Sequence, residues 1–145
     1  MTYRCPEMFD QDWREVPQIW VDFESSGLPP GGRAVEVAFA RFERGECVAH
    51  CGSLVNPGIP IPTDASEIHG ITDADVVNAP PVDDAFTYQR VRDMFDGAQI
   101  GAYNSTFDRL FMPITSPCDL SWWWLDALVL ARRVDRYTTG AGKHK

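Results

Sequence analysis

The sequence is short of several things, and each shortage closes off a class of protein. No stretch approaches the roughly 18 uninterrupted apolar residues of a membrane-spanning helix. The opening residues MTYRCPEMFDQDW have neither a basic leader nor an apolar segment behind it, so the chain reads as neither membrane-bound nor exported. Cysteines number only four, Cys5, Cys47, Cys51 and Cys118, too few to staple 145 residues, and a reduced, cytoplasmic protein is expected. Cys47, His50 and Cys51 do cluster, but no second ligand pair follows at zinc-finger spacing, and the segment has the composition of a strand. Positive charge is scarce as well. Thirteen Lys and Arg against 21 Asp and Glu leave a net charge of −8, which on composition alone argues against nucleic acid held by a broad basic surface. No internal repeat or low-complexity tract is present.

What remains is an ordinary globular composition, 44% hydrophobic and 23% charged, in a length that suits one domain. Residues 1–17 mix Pro, acids and aromatics without a period and read as an arm ahead of a domain over 18–145. Gln18–Phe23 is a short run of β-formers halted by the turn-rich ESSGLPPGG. Arg33–Arg44 and Glu46–Val55 are two further strand-like runs around a turn at Gly45, together predicting a meander. Asn56–Pro62, with three prolines and a glycine, must be irregular. Thr72 or Asp73 can cap a short turn through Val77, and Val82–Phe95 predicts one helix with Phe86, Val91, Met94 and Phe95 near one face and Gly97 stopping it. Gln99–Ala102 reads as a short buried strand. Asn104 or Ser105 would cap the helix after it, which Pro113 and Pro117 close off. Leu125–Val134 carries a 3.6-residue apolar stripe after three tryptophans, Trp122, Trp123 and Trp124, whose clustering before a helix suggests core. Strands first and then alternating helix and strand make a mixed α/β plan.

Three carboxylates stand out. Asp22 and Glu24 are two apart on a strand, so both side chains leave the same face. Two adjacent carboxylates repel, and a pair withdrawn from water is normally neutralised by a cation, for which hard oxygen donors suit magnesium or manganese. A bare D-x-E also arises when one acid caps a turn and the other is solvated. Asp108 follows a buried strand at the start of a helix, where it can meet the first two at the sheet edge, or simply complement the helix dipole. Glu36 interrupts the apolar AVEVAFA and faces away from Val35 and Val37, as an outward-facing strand residue would.

These residues lie in strings with a wider resemblance. VDFESSGLPP resembles the first motif of the DEDD exonuclease superfamily, with Ser25 and Ser26 where the usual form has two threonines. ASEIHGIT followed by DADV is similar to the stretch between the first and second motifs in the DEDDh branch, typified by the proofreading subunit of bacterial DNA polymerase III. AYNSTFDRLFM resembles that branch's second motif, with Asp108 as its carboxylate, and LDALVLARR followed by GKHK resembles the approach to the third, with Asp126 where the family often has an acid or threonine. The matches are collinear from Ile19 to about Lys145.

The resemblance implies a ribonuclease H-like fold, a mixed sheet flanked by helices, and hydrolysis of DNA or RNA from a single-stranded 3′ end. It implies that Asp22, Glu24 and Asp108 hold two Mg²⁺ or Mn²⁺ ions roughly 3.5–4 Å apart, with Glu24 also orienting the attacking water. Ser25, Ser26, Gly27 and Leu28 would face the terminal nucleotide, with His69 and Asn104 as further substrate contacts. For His69, a turn histidine satisfied by backbone is the competing reading. A polymerase or another replication or repair protein is the expected partner. The family's third motif, a histidine followed five residues later by aspartate, lies beyond GKHK, and His144 has only Lys145 after it. This 145-residue chain is therefore expected to lack the usual base and a fourth carboxylate, to leave apolar surface uncovered, and to be impaired. The alternative is a non-catalytic nucleic-acid-binding or accessory module that keeps the fold.

Overall fold

The computed structural model describes Asp12, residues 14–113 and residues 124–134. Five strands form one mixed sheet: β1 (Gln18–Ser25), β2 (Ala34–Glu43), β3 (Glu46–Leu54), β4 (Gln99–Ala102) and β5 (Leu125–Asp126), in the order β3-β2-β1-β4-β5. β1, β2 and β3 are the expected antiparallel meander, and β4 and β5 add in parallel on the other side of β1. This is the mixed sheet with flanking helices of the ribonuclease H-like fold. The helices are short: α1 (Thr63–His69), α2 (Asp73–Val76), α3 (Val82–Ala85), α4 (Gln89–Phe95), α5 (Ser105–Asp108) and α6 (Ala127–Val134).

Strand alternation decides which face is covered. Ile19, Val21 and Phe23 of β1 and Val37 and Phe39 of β2 point to one face, where they meet Phe86, Val91, Met94 and Phe95 of the α3–α4 region and Phe111 and Met112 beyond α5. Phe86 is the hub, fully buried, with ring centroids 5.1 Å from Phe39, 6.1 Å from Phe95 and 6.4 Å from Phe23. A satellite of Val35, Ile61, Ile71 and Val76 lies under the α1–α2 segment. Arg41 also reaches the packed face and donates to the carbonyls of Met94 (2.8 Å) and Asp96 (2.9 Å), satisfying acceptors at the end of α4.

The structure departs from the sequence reading in four places. Val82–Phe95 is two helices, because the Thr87 hydroxyl bonds back to the Asp84 carbonyl at 2.7 Å and Tyr88 is extended, a bend that admits both Phe86 and Phe95 to the core. All four residues expected on the apolar face are buried nonetheless. Helix α1 lies where no helix was expected, since it buries no residue and so has no apolar period; Pro62 opens it and Gly70, left-handed, closes it. The helix read over Leu125–Val134 begins with two strand residues. Thr72 does open α2, its N–H and hydroxyl donating to Asp75 at 2.8 and 2.6 Å. The fourth departure, the cap of α5, bears on the site. Of the arm, the described part lies against the sheet: the Gln99 N–H donates to the Pro17 carbonyl at 2.7 Å and Arg44 pairs with Glu15 at 3.0 Å.

Candidate active site

The other face of β1 presents Trp20, Asp22 and Glu24, the positions that alternate with the buried Ile19, Val21 and Phe23. Asp22 is exposed and Glu24 half-buried. Across the β1–β2 pairing Glu24 stands directly opposite Glu36 and Asp22 opposite Ala38. The lone charge in AVEVAFA therefore belongs to the same acidic patch, a neighbour that sequence spacing could not supply because it depends on the register of the pairing. Burial first, then the charges of Asp22 and Glu36, push the Glu24 carboxyl up, and the charge of His69 works in the opposite sense.

Asp108 arrives from the far side of β1. Pairing of β1 with β4 ends at Trp20 and Gly101, so β1 outruns its parallel neighbour and the Phe23 N–H has no strand partner on that side. The Asp108 carboxylate takes it, at 3.0 Å, from a position only 3% exposed. The second motif's acid is thus fastened between the first motif's two. Burial pushes Asp108 up to about 6, opposed by the Phe23 hydrogen bond and reinforced by the charges of Asp22 and Asp126. The Asp22 charge, which adds to burial in raising both Glu24 and Asp108, is what a bound cation would offset.

All-oxygen donors and surplus negative charge fit a hard divalent ion in chemistry. In spacing the fit is incomplete: among the described residues, no three His, Cys, Asp or Glu side chains are gathered closely enough to enclose one.

Around this edge the remaining candidates fall into two groups. Facing outward are Gly27 and Leu28, the latter 65% exposed at the tip of the loop between β1 and β2. Ser25, half-buried, uses its hydroxyl to accept the Gly27 N–H at 3.4 Å. Ser26, by contrast, is buried and occupied at the loop's base: its hydroxyl accepts the Arg33 N–H at 3.0 Å and lies 3.3 Å from the Arg33 carbonyl, which also takes the Ser26 N–H at 2.8 Å. That staple makes Ser26 a shaper of the loop. His69, at the end of α1, is bonded as the turn reading expects. Its Nδ1 accepts the Ile71 N–H at 3.1 Å, while its buried Nε2 makes no hydrogen bond and the ring lies near enough to Glu24 to act on it. Asn104 sits at the first position before α5, exposed, and its side chain caps nothing; the Ser105 side chain and N–H are held instead by Asp126.

Trp20 lies over Gly101, where an added Cβ would stand 3.2 Å from the indole, and beyond it an open groove of about 500 Å³ runs over Ala38, Ala40 and Gly52 toward His50, with Asp22 at its edge. His50 and Cys51 face opposite sides of β3, since His50 pairs with Ala40 and Cys51 with Phe39, and the Cys51 sulfur rests 3.7 Å from that of Met94. Trp124 packs against the core with the Arg109 guanidinium 5.9 Å from its ring centre. Trp122, Trp123 and His144 lie outside the described residues.

Comparison with known proteins agrees with this geometry. The family model described as an exonuclease of the RNase T type matches residues 19–113. A DNA polymerase III subunit epsilon-like protein of Rhodobacter capsulatus is 39% identical over 95 residues, 63% of this chain and 13% of its own length. DNA polymerase III PolC-type of Streptococcus pneumoniae is 30% identical over 113 residues, 75% of this chain and 8% of its own. The chain thus spans a small fraction of these relatives. Among solved structures, exonuclease X in complex with 5′-overhanging duplex DNA superposes with a TM-score of 0.65 at 30% identity, covering 81% of this chain and 63% of that one. Exonuclease I of E. coli in complex with a dT13 oligonucleotide shares the fold, with a TM-score of 0.65 at 20% identity over 87% of this chain and 31% of the other. No helix among the described residues is long and apolar enough to cross a membrane. By its matched span, its sheet order and the carboxylates its motifs bring to one edge, the chain belongs to the RNase T-type exonuclease family.

Proposed function

We propose that this chain carries the site of a metal-dependent 3′-to-5′ exonuclease of the DEDDh type, acting on single-stranded ends of DNA or RNA. The observation that carries the reading is the fastening of Asp108 to the Phe23 N–H, between Asp22 and Glu24. Mg²⁺ or Mn²⁺ ions bound there would supply the acidity that activates water and steadies the departing 3′ oxygen. Asp22 and Glu24 would hold them from the open face of β1, and Asp108 from the buried side. Glu24, raised by burial and then by the Asp22 and Glu36 charges, would orient a water. His69, whose charge acts on Glu24, would be a further substrate contact only after its ring turns out of its buried position, and Leu28, 65% exposed at the loop tip, offers the terminal nucleotide an apolar edge. The polymerase III relatives suggest a replication or repair protein as partner, and the DNA-bound exonuclease X suggests DNA among the substrates.

A second reading, a non-catalytic module of the same fold, is favoured by the open spacing of the carboxylates. Oligonucleotides labelled at either end separate the two. The exonuclease releases mononucleotides from the 3′ end with Mg²⁺ or Mn²⁺, and Asp22→Ala lowers the rate at least about 10²-fold, since even residues that merely support a metal ligand are worth 10- to 100-fold. Equal inertness of wild type and variant with both metals excludes catalysis by this chain.

A further inference from the structure

Helix α5 presents Asp108 to the site, yet it is one turn long, and a single turn fixes several residues' dihedrals for very few hydrogen bonds. Nothing local holds its N-terminus, because the Asn104 side chain makes no cap. The hold comes from 21 residues further along the chain. One oxygen of Asp126 accepts both the N–H (3.0 Å) and the hydroxyl (2.7 Å) of Ser105, the first residue of α5. Its other oxygen accepts the N–H of Val129 in the first turn of α6 at 3.0 Å. A single carboxylate thus caps two helices, and both of its oxygens are engaged.

We propose that Asp126 is a positioning residue for the active site, setting where Asp108 stands by clamping the start of α5 to the β5–α6 corner. This rests on the exonuclease reading of the same site for its functional meaning, though not for its structural test. A continuous chain of contacts runs from Asp126 to Ser105, through the turn of α5 to Asp108, and on to the Phe23 N–H between Asp22 and Glu24. The fold does not depend on the clamp alone. The Leu128 N–H also donates to the Tyr103 carbonyl at 2.7 Å, and β5 pairs with β4 through Gly101–Leu125 and Ala102–Asp126. Removing the carboxylate should therefore loosen α5 while leaving the sheet intact.

Amide hydrogen exchange on the metal-free protein reads this directly. In Asp126→Ala the Phe23 amide should exchange about tenfold faster, the scale of a lost cap, while the other β1 amides keep their wild-type rates. Asp108→Ala sets the ceiling for Phe23, and adding Asp126→Ala to it should change that amide no further. If Asp126→Ala does not fold, Asp126→Asn, which keeps one acceptor oxygen, is read in the same way. Acceleration of all β1 amides together, or of none, overturns the proposal, as does full additivity with Asp108→Ala. Mn²⁺ titration adds the functional arm. A wild type that binds Mn²⁺ should lose about 10- to 100-fold in affinity in the variant. A wild type that binds none refutes the metal reading of the site and leaves the exchange result to decide the role of Asp126.

Discussion

The two faces of β1 are made from alternate residues of one eight-residue strand and obey different rules. On the packed face Ile19, Val21 and Phe23 are at most 2% exposed and meet a cluster of phenylalanines. On the open face Trp20, Asp22 and Glu24 look onto small residues, Ala38 and Ala40, and onto another acid, Glu36. One side maximises burial; the other keeps like charges together, which does nothing for stability and is what the proposed site would use. The proposed site lies on the face that packing leaves alone.

The sharpest way to break that contrast is at Phe86. Its ring is wholly buried among three others, so Phe86→Ala should cost ~3–5 kcal/mol in urea unfolding, lost burial and cavity together. A loss below about 1 kcal/mol would mean that the core collapses around the gap and that the packed face is less specific than its aromatic contacts imply.

Asp108 tests the boundary between the faces, because it is a charge carried into the packed interior. Its folded value, about 6, lies above the ordinary 3.8. Between these values the metal-free folded chain keeps a proton that the unfolded chain has released, so its stability should fall as pH rises through roughly 4 to 6 and level off above. The full span corresponds to at most ~3 kcal/mol. Asp108→Asn, which still offers an oxygen to the Phe23 N–H, should lose that part of the slope and be the more stable protein at pH 7, measured by urea midpoints at pH 4.5 and 7. Equal slopes in both proteins would place the Asp108 carboxyl in water. A bound divalent ion should flatten the wild-type slope, since it favours the ionised form.

How much of this was readable beforehand follows from what each feature depends on. The meander and β4 were legible because their β-rich runs are bounded by turn residues, and the buried set Phe86, Val91, Met94 and Phe95 because a core repeats. Asp22 and Glu24 were legible for the opposite reason: they interrupt an apolar strand. Helix α1 escaped since it buries nothing and so has no period to find. Glu36 and Asp126 escaped as members of the site because their roles are set across the sheet, one by the β1–β2 register and one by a carboxylate that caps a helix 21 residues earlier in the chain. Net charge misled for a related reason. It counts carboxylates without regard to where they stand, and Asp22, Glu24 and Glu36 stand together on one face of the sheet.

The smallest expected effect lies in the loop that joins the two faces' chemistry, Gly27–Gly32. There a pair of neighbouring glycines differs in the space around them. A Cβ at Gly32 would fall 1.8 Å from the Gly27 carbonyl oxygen and 2.7 Å from the Leu28 nitrogen, both backbone atoms, whereas one at Gly31 meets nothing within 4 Å. Gly32→Ala must therefore push the Gly27–Leu28 strand of the loop away from Ser26 and Arg33, at ~1–3 kcal/mol, the usual cost of forced crowding. Gly31→Ala should stay within about 0.5 kcal/mol of wild type. Because Leu28 rides on the displaced segment while Asp22 and Asp108 do not, Gly32→Ala should raise KM for an oligonucleotide more than it lowers kcat. If Gly32→Ala matches wild type in both stability and KM, the loop neither depends on that close approach nor touches the substrate.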